Sequence, residues 1–409
     1  MTDATGRSFL SYRRSRVGEA RLLIEAQHDL GIPTWQDLSE LEEGHTATLL
    51  EEALADENTA NAVCWLTPDV ESSAVITRTE LPGIMRRIDR KDGFFMVPVA
   101  AGGMGYEDVT RVVGTCLGLH DLGQWNVRKV ISDPVSEEEA AKIARRVIER
   151  RMRAVTNQLM LGAPLRIGLN TRKKPSFEPG LALSVDWTHR FNGRTVNAPA
   201  LWEQRLLPSL ETIAQAIEQH APGRRVVAEG LCSLPAAVAL GTVFLATRRL
   251  PIAWRQISPN RSPQLWSLDV PPEPSGFEPQ IIHNNPAGDD LVLLVSVTSS
   301  VDAAFAATRP QLHQIRGLVT VAKPGIYPHD LETPGQARDV VRLVVEGLRR
   351  ARDVLQPRGT LHVFLAAPAG LAMMIGQVLN TFGPVQTYEH MATDSVGVYL
   401  PAAQLKPSG

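Results

Sequence analysis

Phe9-Leu10-Ser11-Tyr12-Arg13-Arg14 decides the fold. Its apolar start and polar end predict a buried parallel strand that delivers Ser11, Tyr12 and Arg13 to the edge where open α/β sheets bind ligands. Working outward, Gly18 to Leu30 predicts an amphipathic helix, Ile32 to Trp35 a second strand and Thr46 to Leu54 another helix. Ala62 to Leu66 then predicts a third strand, Ser73 to Arg87 a helix carrying Glu80, and Phe94 to Val99 a fourth strand. Short apolar strands alternating with helices favour a covered parallel sheet.

The chain has 409 residues, of which 44% are hydrophobic and 21% charged, enough for two or three cores. A net charge of -2 argues against a general binder of long DNA. It leaves room for an anion in one basic cleft, through clusters such as Arg145-Arg146, Arg150-Arg151, Arg172-Lys173-Lys174 and Arg349-Arg350. Cys64, Cys116 and Cys232 lack metal-ligand spacing, and the amino terminus has no secretory pattern, so a reducing cytoplasm is expected. The apolar stretch Leu234 to Leu245 is too short to span a bilayer.

Asp133-Pro134 precedes a long helix predicted from about Ser136 to Met160, with Glu137 to Glu139 at its amino end, and Gly162-Ala163-Pro164 stops it. Two α/β halves follow. The first has strands at Leu165 to Leu169, Leu181 to Trp187, Arg225 to Glu229 and Ile252 to Arg255, with helices at Trp202 to His220 and Pro235 to Thr247. After Pro271-Pro272-Glu273-Pro274, strands at Leu291 to Val297, Leu318 to Val321, Leu361 to Leu365 and Val396 to Leu400 alternate with helices at Val301 to Arg316, Thr333 to Leu355 and Gly370 to Phe382. This pattern reads as a duplication of architecture.

Residues from Arg7 to about Val130 resemble a Toll/interleukin-1 receptor (TIR) domain of flavodoxin-like fold. Phe9 to Arg13 corresponds to its first box, Asp37 through Gly44 to its BB loop, and Ala62-Val63-Cys64-Trp65-Leu66-Thr67-Pro68 to its third strand. Ser73 to Leu81 resembles the helix that carries the glutamate of TIR enzymes that cleave NAD, which makes Glu80 the expected catalytic residue. Ala74 and Ile76 stand where family members often have serine and tryptophan. The segment from about Leu165 to Leu400 resembles a SAVED sensor, built from two fused CARF-like Rossmann-type subdomains, with His362 to Gly370 as its most specific stretch. The combined resemblance is to a TIR-SAVED effector of cyclic-oligonucleotide-based antiphage signalling systems. The expected domains are residues 1–133 (TIR), 134–163 (connecting helix) and 164–409 (SAVED), the last with subdomains at about 164–270 and 275–409.

The resemblance implies an NAD+ glycohydrolase, with NAD+ as substrate and no required cofactor or metal. Water attack would give nicotinamide and ADP-ribose, and attack by the adenine ring a cyclised product. Substrate contacts are expected from Ser11, Tyr12, Arg13, Trp35, Asp37 and Ser73, although strand capping, core packing and helix capping account for the same residue types. No glycine-rich dinucleotide fingerprint follows the first strand, and Gly102-Gly103-Met104-Gly105 lacks the lysine of a nucleotide-triphosphate loop.

For the sensor, a cyclic oligoadenylate, with cyclic triadenylate preferred, needs cations or N–H groups for phosphates and recesses for bases. Arg172, Lys173, Lys174, Ser299, Ser300 and Lys323 are expected contacts because they fall near strand exits; Trp187, His189 and Arg190 are expected to form another rim for stacking and phosphate contact, and Ala367 and Gly370 a close-approach turn at a helix amino terminus. A partner nucleotidyltransferase would supply the ligand, which would drive homo-oligomers or filaments and let one BB loop complete a neighbour's Glu80 site. A nonenzymatic nucleotide-gated scaffold is the competing reading.

Overall fold

The computed structural model describes residues 1–35, 46–117, 127–257, 262–312, 314–392 and 397–406. The chain forms two compact units. Unit 1 comprises Met1–Gly168, Pro175–Asp186 and Gln219–Ala221, and unit 2 comprises Leu169–Lys174, Trp187–Glu218 and Pro222–Gly409. The division falls later than the break expected near residue 163, because Pro175–Asp186 packs with the amino-terminal region.

Unit 1 contains, in chain order, β1 (Arg7–Ser11), α1 (Val17–Asp29), α2 (Thr46–Ala55), β2 (Thr59–Leu66), α3 (Leu81–Asp89), β3 (Phe95–Ala100), α4 (Tyr106–Leu117), β4 (Arg128–Lys129) and α5 (Glu137–Gln158), followed by all but the last two residues of β5 (Leu165–Asn170) and by β6 (Leu183–Asp186). The order β1-β2-β3-β4 is parallel throughout. On the other side of β1, the expected second strand is reduced to one parallel bridge between Ser8 and Thr34, closed by Ser8 N–H to Pro33 O and Trp35 N–H to Ser8 O. All eight residues of β2 are buried, as a strand covered on both faces requires. Phe9, Leu50, Leu54, Ile76, Leu81, Ile84 and Met96 form one continuous core.

The helix expected from Ser73 to Arg87 is not uniform. Ile76–Glu80 makes a π-turn before α3. Pro82 explains it: proline has no N–H for the carbonyl four residues back, and its ring crowds that carbonyl, so the turn widens. The same device recurs in unit 2, where the π-turn Trp202–Leu206 precedes Pro208.

Ser136 caps α5 by accepting from the Glu139 N–H, with Glu137, Glu138 and Glu139 in the first turn. Arg151, read as part of a local basic cluster, is not free to meet an anion. Its guanidinium is buried and donates to the carbonyls of Ala182, Gly6 and Thr5 at 2.8, 2.6 and 2.5 Å.

Unit 2 holds a short hairpin, β7 (Phe191–Asn192) and β8 (Thr195–Val196), then α6 (Leu207–His220), β9 (Val226–Glu229), α7 (Leu234–Val243), β10 (Ile252–Gln256) and β11 (Gln264–Trp266). It continues with β12 (Glu278–His283), β13 (Asp290–Ser296), α8 (Asp302–Thr308), β14 (Ile315–Ala322), α9 (Pro334–Leu355), β15 (Leu361–Ala366), α10 (Ala369–Leu379), β16 (Val385–Met391) and β17 (Val398–Leu405). The six-stranded sheet runs β12-β14-β13-β15-β16-β17, parallel inside and antiparallel at both edges. Three of its features depart from the sequence reading. β12 and β16 lie in segments to which the sequence reading assigns no element, and the helix expected from Val301 to Arg316 stops at Thr308 because Pro310 follows.

The duplication has a structural counterpart in β9-α7-β10 and β15-α10-β16, each a strand, helix and parallel strand. α7 and α10 meet through glycines: a methyl on Gly241 would collide with the Met373 carbonyl, and one on Gly376 with the Val238 carbonyl. The carboxyl ends of both helices, Thr242-Val243 and Leu379-Asn380, line one cavity of about 390 Å³.

Candidate functional site

In unit 1, β1 delivers Ser11 to the carboxyl edge of the sheet and the π-turn ends on Glu80. The Ser11 hydroxyl donates a short hydrogen bond to Glu80 Oε2, and both residues are buried. Burial pushes the Glu80 carboxyl up to about 7, against the opposing effect of Ser11. Burial, followed by the nearby Glu80, also raises Tyr12 and the buried Cys64 thiol. The site is thus a buried carboxyl group at the carboxyl end of β1, its charged form disfavoured by burial.

Its neighbours are less uniform. Arg13 pairs with Asp69 at 3.3 Å, and Asp69 also accepts from the Thr67 and Ser15 hydroxyls. Asp37, expected as a substrate contact, lies outside the described residues. Trp35 is half-buried and stacks on Phe9, with centroids 5.5 Å apart. Ser73 is engaged locally, accepting from the Ile76 N–H at 3.4 Å, while its carbonyl accepts from the Thr77 hydroxyl. Trp65 is a core residue whose indole donates to Glu19 at 2.8 Å.

In unit 2, the expected contacts separate. Arg172 reaches Glu389 at 3.5 Å, and Lys173 and Lys174 are exposed just after it. Gly370, at the first turn of α10, directs its N–H toward Gln256 Oε1 at 3.4 Å. A side chain there would press on Trp254 and Gln256. Ala367 is buried at the same turn. Lys323 lies against Gly276 after β14. Ser299 and Ser300 are exposed, and Ser300 bonds locally to Asp302. His189 and Arg190 occupy a single 3-10 turn. Trp187 corrects the expectation of an aromatic rim: it is completely buried and packs edge-on to Trp202 at 6.4 Å.

Glu389, Gln256 and Arg194 were missed. Gln256 and Glu389 are both the fifth residue of the strand that follows the glycine-containing helix of their half, so strict alignment of the two halves would have exposed them.

Residues 209–405 match the SAVED family. The matching family is described as the SMODS-associated and fused to various effectors sensor domain. No curated protein matches the chain. The chain is similar to the Acinetobacter baumannii Cap4 SAVED/CARF-domain containing receptor solved with the cyclic trinucleotide 3'3'3'-cAAA, at 15% identity and TM-score 0.50, covering 89% of this chain and 87% of that one. At that identity the likeness establishes fold alone. The same receptor solved with 2'3'3'-cAAA matches at 14% identity and TM-score 0.49, covering 88% and 84%. Among the described residues, no group of His, Cys, Asp and Glu is placed to hold a metal ion, and no helix is long and apolar enough to cross a membrane.

Proposed function

We propose that this chain is a TIR-SAVED effector: an NAD+ glycohydrolase gated by a cyclic oligoadenylate, acting in the cytoplasm. Glu80 carries the reading, as a buried carboxyl bonded to Ser11 at the carboxyl edge of β1. The strand order supports it. The Thr34 bridge, β1, β2, β3 and β4 lie in the order 2-1-3-4-5 of flavodoxin-like folds, and Glu80 sits beside the strands where that order reverses.

Cleavage of the bond between nicotinamide and ribose builds positive charge on the sugar while the base leaves neutral. An ionised Glu80 stabilises that charge and orients ribose hydroxyls. The pyridinium of bound NAD+ favours the ionised carboxylate and pulls its pKa down from the substrate-free level. Nicotinamide and ADP-ribose are the main products, and NAD+ is consumed as substrate without a resident cofactor.

The SAVED domain and its likeness to a receptor solved with cAAA support cyclic triadenylate as the activator. A partner nucleotidyltransferase makes the activator, and ligand-driven homo-oligomers or filaments assemble the TIR sites. One observation favours the alternative of a nucleotide-gated scaffold: Ile76, where the family often has tryptophan, is buried in the core.

Mixing the protein with NAD+ and a panel of cyclic oligoadenylates decides between them. Nicotinamide release with one activator is expected. Binding of an activator without release, at any concentration, would leave the scaffold as the function.

A further inference from the structure

The two halves of unit 2 cap each other's helices unequally. Gln256, ending β10, offers its amide oxygen to the Gly370 N–H at the start of α10. Its counterpart on β16 is Glu389, whose carboxyl lies at the start of α7, where the Leu234 N–H stabilises its charged form. One end therefore holds a neutral amide and the other an acid.

The acid's surroundings are those of an anion site. Arg172 lies 3.5 Å from Glu389 Oε1, and Arg194, in the turn between β7 and β8, also acts on the carboxyl. Glu389 is 4% exposed, yet its Oε2 accepts no hydrogen bond among the described residues. A helix amino terminus and arginines suit a phosphate, which brings more acceptor oxygens than a carboxylate. We propose that Arg172, Arg194 and the first turn of α7 form a phosphate subsite, and that Glu389 is its resident stand-in, displaced by a phosphate of the cyclic oligoadenylate. This rests on the receptor function proposed above.

Displacement is linked to protons. Burial pushes Glu389 up to about 7, while Arg172, Arg194 and the Leu234 N–H oppose that rise. Cys232 and Tyr399 also face the group, and both thiol and phenol are raised in part by its charge; His390 follows it in the chain. Above neutrality an ionised Glu389 competes with the phosphate, and below it the carboxyl is neutral and competes less. Affinity should therefore rise as pH falls.

Calorimetric titration of the full chain with cyclic triadenylate at pH 6, 7 and 8 tests this. Wild type should bind about tenfold more tightly at pH 6 than at pH 8, with proton uptake seen across buffers of different ionisation enthalpy. Glu389→Gln should bind at every pH at least as tightly as wild type at pH 6. A flat wild-type profile, weaker binding by the variant, or an unchanged pH dependence in the variant, which would implicate His390, overturns the subsite. Binding by neither protein refutes the receptor reading itself. If the variant does not fold, wild-type proton uptake decides the question.

Discussion

Gly241 and Gly376 are structural counterparts: each is the eighth residue of its helix, and each lies against the carbonyl of the other helix's fifth residue. Only the absence of a Cβ on both permits α7 and α10 to approach this closely.

Gly376→Ala should therefore destabilise the protein by about 1–3 kcal/mol or more, as overpacking does. Intrinsic helix propensity alone has the opposite sign, about 1 kcal/mol in favour of alanine. Urea denaturation gives the sign, and a more stable variant would mean that the helices separate at little cost.

Glu80→Gln should lower NAD+ cleavage by about 10²–10³-fold, the scale of a lost electrostatic contact. It should also stabilise the fold at alkaline pH. Because the folded-state pKa is raised from 4.5 to about 7, wild type loses stability as pH rises through that window. The variant's advantage should reach up to ~3 kcal/mol at pH 8 and vanish below about pH 4.5. Nicotinamide release and melting temperature across pH read both effects.

Ser11→Ala removes the hydrogen bond that holds Glu80 down, so its pKa should climb above about 7. The acid limb of the pH–rate profile should then move to higher pH, and activity at neutral pH should fall more than activity at pH 9. An equal loss at both pH values would instead mark Ser11 as a substrate contact.

Pro82→Ala restores an N–H to the turn that presents Glu80. Relieving a proline in a helix ordinarily stabilises, by up to about 3 kcal/mol. Here the π-turn should tighten and rotate Glu80, lowering cleavage by at least about tenfold while the melting temperature holds or rises. Unchanged activity would show that packing, not Pro82, sets the turn.

The strands of the first sheet were legible because covered parallel strands are continuous apolar runs, as Ala62 to Leu66 and Phe94 to Val99 are. The segment at Ile32 to Trp35 was read as a strand but, among the described residues, pairs through a single bridge, since edge pairing depends on a neighbour that local sequence does not encode. β12 and β16 were missed for a related reason: Glu278–His283 and Val385–Met391 mix polar and apolar residues on sheet positions that only their partners define.

The sequence by itself determined the apolar strands and the capped helices, the place of Glu80 in its segment and the doubling of the second region, because these follow from periodicity, capping residues and proline. Tertiary structure alone decided that Glu80 is buried on Ser11, that Trp187 is core, that Arg151 bonds three backbone carbonyls, and that Glu389 meets Arg172 at the head of α7. The physical reason is distance along the chain: burial and charge pairing are set by groups far apart in sequence, and local pattern carries no record of which of them meet.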